Sequence, residues 1–160
     1  VRISLSLLLL IASVAEAQGR PGALFAQFGA EGLGVSANLD VGLTQSVRLR
    51  GGVGYLPFAS ITFPVSASYL IGRGNATIEL GAGATTVITA PDNGQDDGVI
   101  NDWFEKHFFG FGRDPMVVPL LIAGWRYHPR HSVLLRLTLT PLLLDGKAHL
   151  YGGAGVGLTF

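Results

Sequence analysis

Apolar side chains recur at every second position through most of this chain, and the positions between them are mainly Gly, Ser, Thr and Ala. Period two marks an extended strand with two unlike faces. In 47–55, Val47, Leu49, Val53 and Tyr55 share one face, and Arg48, Arg50, Gly52 and Gly54 the other. In 133–140 one face is wholly aliphatic, while the other carries Arg136, Thr138 and Thr140. The final stretch alternates in the same way and stops on Phe160. A chain built from such segments must place two kinds of face in two kinds of surroundings.

Eight segments follow the pattern, near 23–31, 34–44, 46–56, 60–72, 75–89, 116–128, 131–143 and 148–160. Most are about 10 to 13 residues, longer than the ~5–6 typical of soluble strands and close to what a tilted membrane strand needs. The sixth is the least regular, because 117–123 is apolar on both faces; Trp125 and Tyr127 are assigned outward and Arg126 inward. The connections alternate between tight turns (44–46, 72–75, 128–131) and longer links, the longest being about 90–115. An even number of strands with short turns on one side and long loops on the other predicts an all-β, eight-stranded, antiparallel up-and-down transmembrane barrel. Its turns would face the periplasm and its loops the outside.

Composition separates this fold from its competitors. Charged residues make up 14% and mean hydropathy is +0.42, against about 25% charged in an ordinary soluble domain. A soluble sandwich would present Lys, Glu and Asp on its solvent faces. A lipocalin-like calyx would have a mostly apolar interior able to hold a ligand. Here the small-residue faces suit a narrow lumen filled by its own side chains. Asp40, Arg48, Arg50, Glu79, Arg126 and Arg136 all have the inward parity. Charges away from bulk water need partners, so these six are predicted to form an ion-paired interior, with Asp40 and Glu79 bracketed by arginines. Aromatics fall near strand ends, as an interfacial girdle requires. Tyr69, Trp125, Tyr127 and Phe160 are placed at the turn end, and Tyr55, Phe58 and Phe63 at the loop end.

Residues 1–17 read as a cleavable secretory signal, leaving 18–160 as the barrel domain. Arg2 supplies a positive start, 3–14 is apolar, and Ala15-Glu16-Ala17 is a small-x-small cleavage site. The apolar run is too short for a membrane helix, which needs ~20 residues. Eleven basic and eleven acidic residues balance, so nothing in the charge points to nucleic acid. With no cysteine, disulfides and thiolate metal sites are excluded, and no cofactor is expected.

With the strands placed, the chain resembles the small eight-stranded outer-membrane barrels of the OmpA/OmpX type, and the outer membrane protein beta-barrel domain more broadly. The matching segments are 49–55, Thr62-Phe63-Pro64-Val65 ahead of Tyr69-Leu70-Ile71-Gly72, 80–84, Gly124-Trp125-Arg126-Tyr127 and the terminal strand. The resemblance implies residence in the cell outer membrane among lipid and lipopolysaccharide, as a monomer. It also implies insertion by the barrel-assembly machinery, with Phe160 in the recognised signal. It brings no defined activity, since fold does not dictate function.

The 90–115 loop is the main candidate for a partner. Its first half is acidic and turn-rich, but the spacing fails a calcium loop: with Asn93 as position one, position twelve is Phe104 and Glu105 comes one late. Its second half starts like a helix at Asn101 and stops at Gly110, setting Trp103, Phe104, Phe108 and Phe109 as a short apolar stripe. That stripe could lie on the membrane surface or over the barrel mouth. A lipid A-modifying hydrolase would need a serine, a base and an acid in reach. His131-Ser132 lies at a turn on the wrong side, while His107 and Glu105 have only Ser60 as a candidate serine. The expected role is therefore structural or interactive and non-enzymatic, with a small pore or transporter for apolar solutes as the alternative.

Overall fold

A computed structural model describes residues 22–56, 60–89, 116–130, 132–144 and 147–160. The strands are β1 (Gly22–Gly29), β2 (Val35–Gly42), β3 (Val47–Leu56), β4 (Ser60–Ile71), β5 (Ala76–Thr89), β6 (Met116–Arg130), β7 (Val133–Leu144) and β8 (Lys147–Thr159). Each pairs with the next in antiparallel register, and β1 pairs with β8, closing the sheet into a barrel with no free edge. Gly22 and Phe160 seal the seam with reciprocal backbone hydrogen bonds of 2.8 and 3.0 Å. The predicted fold class is the observed one.

Closure follows from the side chains. Along β4, Ile61, Phe63, Val65 and Tyr69 point outward and are exposed, while Thr62, Ser66 and Ser68 are buried. The same inversion runs round the barrel: Leu24, Phe28, Val53, Leu121, Leu137, Val156 and Leu158 are each at least half exposed. Outward apolar positions of β4 extend from Ile61 to Ile71. At about 3.3 Å per residue and a tilt of about 40°, that run covers roughly 25 Å, the height of the apolar band on membrane barrels.

The turn end is built locally. In 43–46, Thr44 Oγ1 accepts from the backbone N–H of Ser46 (3.2 Å) and Val47 (2.9 Å), which tightens the reversal. In 72–75, Gly72 (φ 119°) and Gly74 (φ 78°) occupy conformations that L side chains rarely adopt. Prolines interrupt the ladders. The β3–β4 register stops after Gly51↔Val65 and resumes at Gly54↔Thr62, so the gap falls opposite Phe63 and Pro64. The β6–β7 register skips from Leu120↔Leu142 to Ala123↔Leu139, across Pro141. A proline has no N–H to give to a ladder.

Strand ends differ from expectation by one or two residues, and at one of them the difference has a structural consequence. The first strand was expected to run 23–31, but β1 ends at Gly29, and Ala30–Gly32 form a single 3₁₀ turn. Gly29 (φ 74°), Ala30 (φ 49°) and Leu33 (φ 62°) bend this link into the barrel mouth rather than away from it. The residues proposed as a secretory signal, Phe58, and the loop residues Trp103, Phe104, Phe108 and Phe109 lie outside the described residues.

Candidate functional site: the lumen

The six inward charges of the sequence all lie in the lumen. Asp40, Glu79 and Arg126 are completely buried, Arg136 and Arg50 nearly so, and Arg48 is 7% exposed. β2 supplies Asp40, β3 supplies Arg48 and Arg50, and β5, β6 and β7 supply Glu79, Arg126 and Arg136. Strand pairing sets Asp40 directly opposite Arg50, and Arg126 opposite Arg136. Arg50 reaches Asp40 (3.0 Å) and Glu79 (2.6 Å), and Arg136 Nε donates to Glu79 at 2.8 Å. Arg126 donates to Asp40 at 2.7 Å, and Arg48 lies 3.7 Å from the same carboxylate.

Glu31 joins them, which the sequence reading missed. Its carboxylate bridges Arg50 (2.5 Å) and Arg136 (2.8 Å) and accepts from Gln27 at 3.0 Å. Its backbone is tethered too: the hydroxyls of Thr85 and Thr62 donate to the carbonyls of Glu31 (2.6 Å) and Gly32 (2.9 Å). The positive-φ conformations at Ala30 and Leu33 cost of order 1 kcal/mol or more each. Four charge-bearing and hydroxyl partners offset that cost. A signal was present: four inward arginines faced only two inward acids, and a lone acid sat in the glycine-flanked stretch Gly29-Ala30-Glu31-Gly32.

The lumen is layered, which corrects the expectation of a purely small and polar filling. Toward the loop end Leu33, Leu56, Val87, Val118, Leu120 and Ile122 form an apolar cluster, with Met116 and Tyr151 packed against it. The two-faced apolar stretch of β6 is thus resolved. Val118, Leu120 and Ile122 turn inward to fill that layer, while Val117 and Leu121 turn outward. Toward the turn end Ala23, Phe25 and Leu134 form a second, smaller cluster. The Phe25 ring lies under the guanidiniums of Arg50 and Arg136, 5.3 and 5.7 Å from its centroid, within cation–π range.

Of the girdle candidates, Tyr55, Tyr69, Trp125 and Phe160 are exposed on the outer wall, and Tyr127 is half-buried beside Trp125. The Trp125 and Tyr127 rings stack with centroids 5.4 Å apart and an interplanar angle of 6°. Among the described residues no group of histidines and carboxylates is arranged to hold a metal ion. Ser60, the candidate nucleophile, is buried in the wall; His107 and His131 lie outside the described residues.

No protein-family model and no curated protein matches the sequence. Solved structures do match in shape. The N-terminal β-barrel domain of Pseudomonas aeruginosa OprF superposes with a TM-score of 0.62 at 18% identity, covering 88% of this chain and 96% of that one. The Yersinia pestis outer membrane protein Ail, in a phospholipid bilayer nanodisc, gives 0.52 at 9% identity over 88% and 99%. The fold is that of the small eight-stranded outer-membrane barrels. A de novo designed barrel, TMB2.3, matches comparably, with a TM-score of 0.55 and 15% identity over 87% and 93% of the two chains. A shape shared with a designed barrel does not by itself dictate an activity. The most densely paired part of this barrel's interior is the plug of Glu31 and the charges it meets.

Proposed function

We propose that the protein is an integral barrel of the bacterial outer membrane, closed to free solute flow, with a structural or surface-interaction role and no chemistry of its own. The observation that carries this reading is the inside-out distribution of side chains. The outer wall is an apolar band, and the lumen is crossed by a buried ion-paired layer with an apolar layer above it. Backbone in hydrocarbon must be fully paired, which a closed barrel achieves. Residues 1–17 would direct export and be removed. Tyr55, Tyr69, Trp125, Tyr127 and Phe160 would sit at the two interfaces, among lipid and lipopolysaccharide. Phe160 would contribute to recognition by the barrel-assembly machinery. The 90–115 loop, with Trp103, Phe104, Phe108 and Phe109, would carry any contact with a surface partner, and the barrel would act as a monomer.

The test combines fractionation with conductance. The expected result is a heat-modifiable band in the outer-membrane fraction and no steady current when the same sample is placed in planar bilayers. Stable open steps from the wild-type protein would replace this reading with that of a small pore.

A further inference from the structure

We infer that the outer wall at the turn end of β5 and β6 binds an anionic phospholipid, with its phosphate on Arg73 and its chains along the wall above. The inference rests on the proposed reading, in which this wall faces lipid and the turns face the periplasm. Its first support is the distribution of charge. Every acidic residue outside 1–17 and the lumen lies between β5 and β6 or, as Asp145, between β7 and β8, which is the loop side. The stretches 43–46, 72–75 and 128–131 contain no Asp or Glu, while Arg73 lies in the second and Arg130 closes β6. In the β5–β6 pairing Ala76 faces Tyr127, and the same register brings position 130 level with position 73. Two arginines thus mark the end of this strand pair at one height. Cations at a membrane surface draw anionic headgroups. The loop end, where lipopolysaccharide phosphates would lie, carries the acids instead.

The second support is geometric. Ile71 is the last outward apolar residue of β4, and Arg73 follows two residues on, exposed. At about 3.3 Å per residue and a tilt of about 40°, it stands roughly 5 Å beyond the apolar band, at headgroup depth. The turn is open on its outer side. Gly72 and Gly74 take positive φ, nothing lies within 4 Å of where a Gly74 side chain would start, and Asn75 is exposed. The Asn75 carbonyl accepts from the His128 backbone N–H at 2.7 Å, which anchors the turn to β6. Guanidinium and side-chain amide therefore offer several donors to one phosphate.

Above the turn, the Trp125 and Tyr127 rings stack on the neighbouring strand. Ala76, across from Tyr127, sets only a methyl between the Arg73 turn and that stack. Ile78, across from Trp125, is exposed and continues the apolar surface that an acyl chain would cover. An aromatic pair at this depth presents an apolar face to the chain and a hydroxyl to the headgroup.

The test uses the full chain as W103F, so that Trp125 alone fluoresces among tryptophans, in phosphatidylcholine vesicles. A small, fixed fraction of the lipid is brominated phosphatidylglycerol or, in parallel, brominated phosphatidylcholine. Quenching should show phosphatidylglycerol enriched about fivefold beside Trp125, the preference one arginine gives near a membrane surface. R73Q should be quenched equally by both lipids. Adding Q45R to R73Q returns the charge to the turn between β2 and β3, and the preference should stay lost. Equal quenching without R73Q, a preference kept in R73Q, or one returned by Q45R (a diffuse field rather than a site) would each overturn the inference. Vesicles wholly of brominated phosphatidylcholine separate the two failures. Strong quenching there without a headgroup preference means that the wall faces lipid and the site is absent. No quenching there means that the reading of the wall has failed, and the site with it. Heat-modifiable migration checks that each variant is folded.

Discussion

The two layers of the lumen fill the same space by opposite means. Toward the loop end Val87, Val118, Leu120 and Ile122 exclude water by packing, with Leu33 from the inturned link as their lid. Below them Glu31, Asp40, Glu79 and four arginines occupy the same cross-section with charge. An apolar layer tolerates small losses, because each side chain contributes its own burial and neighbours relax partly into the gap. A charged layer does not. Each carboxylate here serves at least two guanidiniums, so removing one leaves several buried charges uncompensated. The lesson is that the ion pairs impose one arrangement of the lumen, whereas the apolar layer mainly closes it.

The largest expected effect breaks the charged layer. Glu79→Gln leaves Arg50 and Arg136 sharing Glu31 and should cost about 3–5 kcal/mol, the range for breaking a buried ion pair from one side. Urea unfolding of micelle-folded protein measures it. A loss below about 1 kcal/mol would show the layer to be hydrated and the contrast between layers false. A smaller effect is expected from Val118→Ala in the apolar layer, about 2 kcal/mol from lost burial and a residual cavity. It should add simply to a change on the opposite wall, such as Val35→Ala on the outer face of β2, because distant sites without shared partners are additive.

The smallest effect sharpens the role of the inturned link. Ala30 stands at φ 49°. Ala30→Gly should relieve the conformation and change stability by no more than about 1 kcal/mol, in the stabilising direction. Chemical denaturation against wild type checks the sign. Clear destabilisation would mean that the Ala30 methyl, rather than the Glu31 tethers, holds the link in place.

These features differ in how far they could be read from the chain. Period two and strand length were enough for the barrel and its closure, because lipid and lumen demand opposite side chains on alternate positions. Val47 to Tyr55 shows this most clearly: Arg48 and Arg50 are buried, while Val53 and Tyr55 are exposed. Parity also placed Arg126 inside, just beyond a stretch whose two faces are both apolar. It could not place Glu31, since alternation stops where a strand stops. The direction of the link depends on three positive-φ residues and on hydroxyls from β4 and β5, far away in sequence. Hydrophobicity alone could not show that Val118, Leu120 and Ile122 fill the lumen rather than face lipid; only the parity they share with Arg126 points them inward.

The central claim is that the apolar wall faces lipid. Trp125 lies on that wall, 41% exposed, and the only other tryptophan is Trp103. In a W103F variant reconstituted into vesicles with brominated acyl chains, Trp125 fluorescence should be strongly quenched relative to unbrominated vesicles. Emission indifferent to bromination, from protein that stays in solution without detergent, would contradict the account.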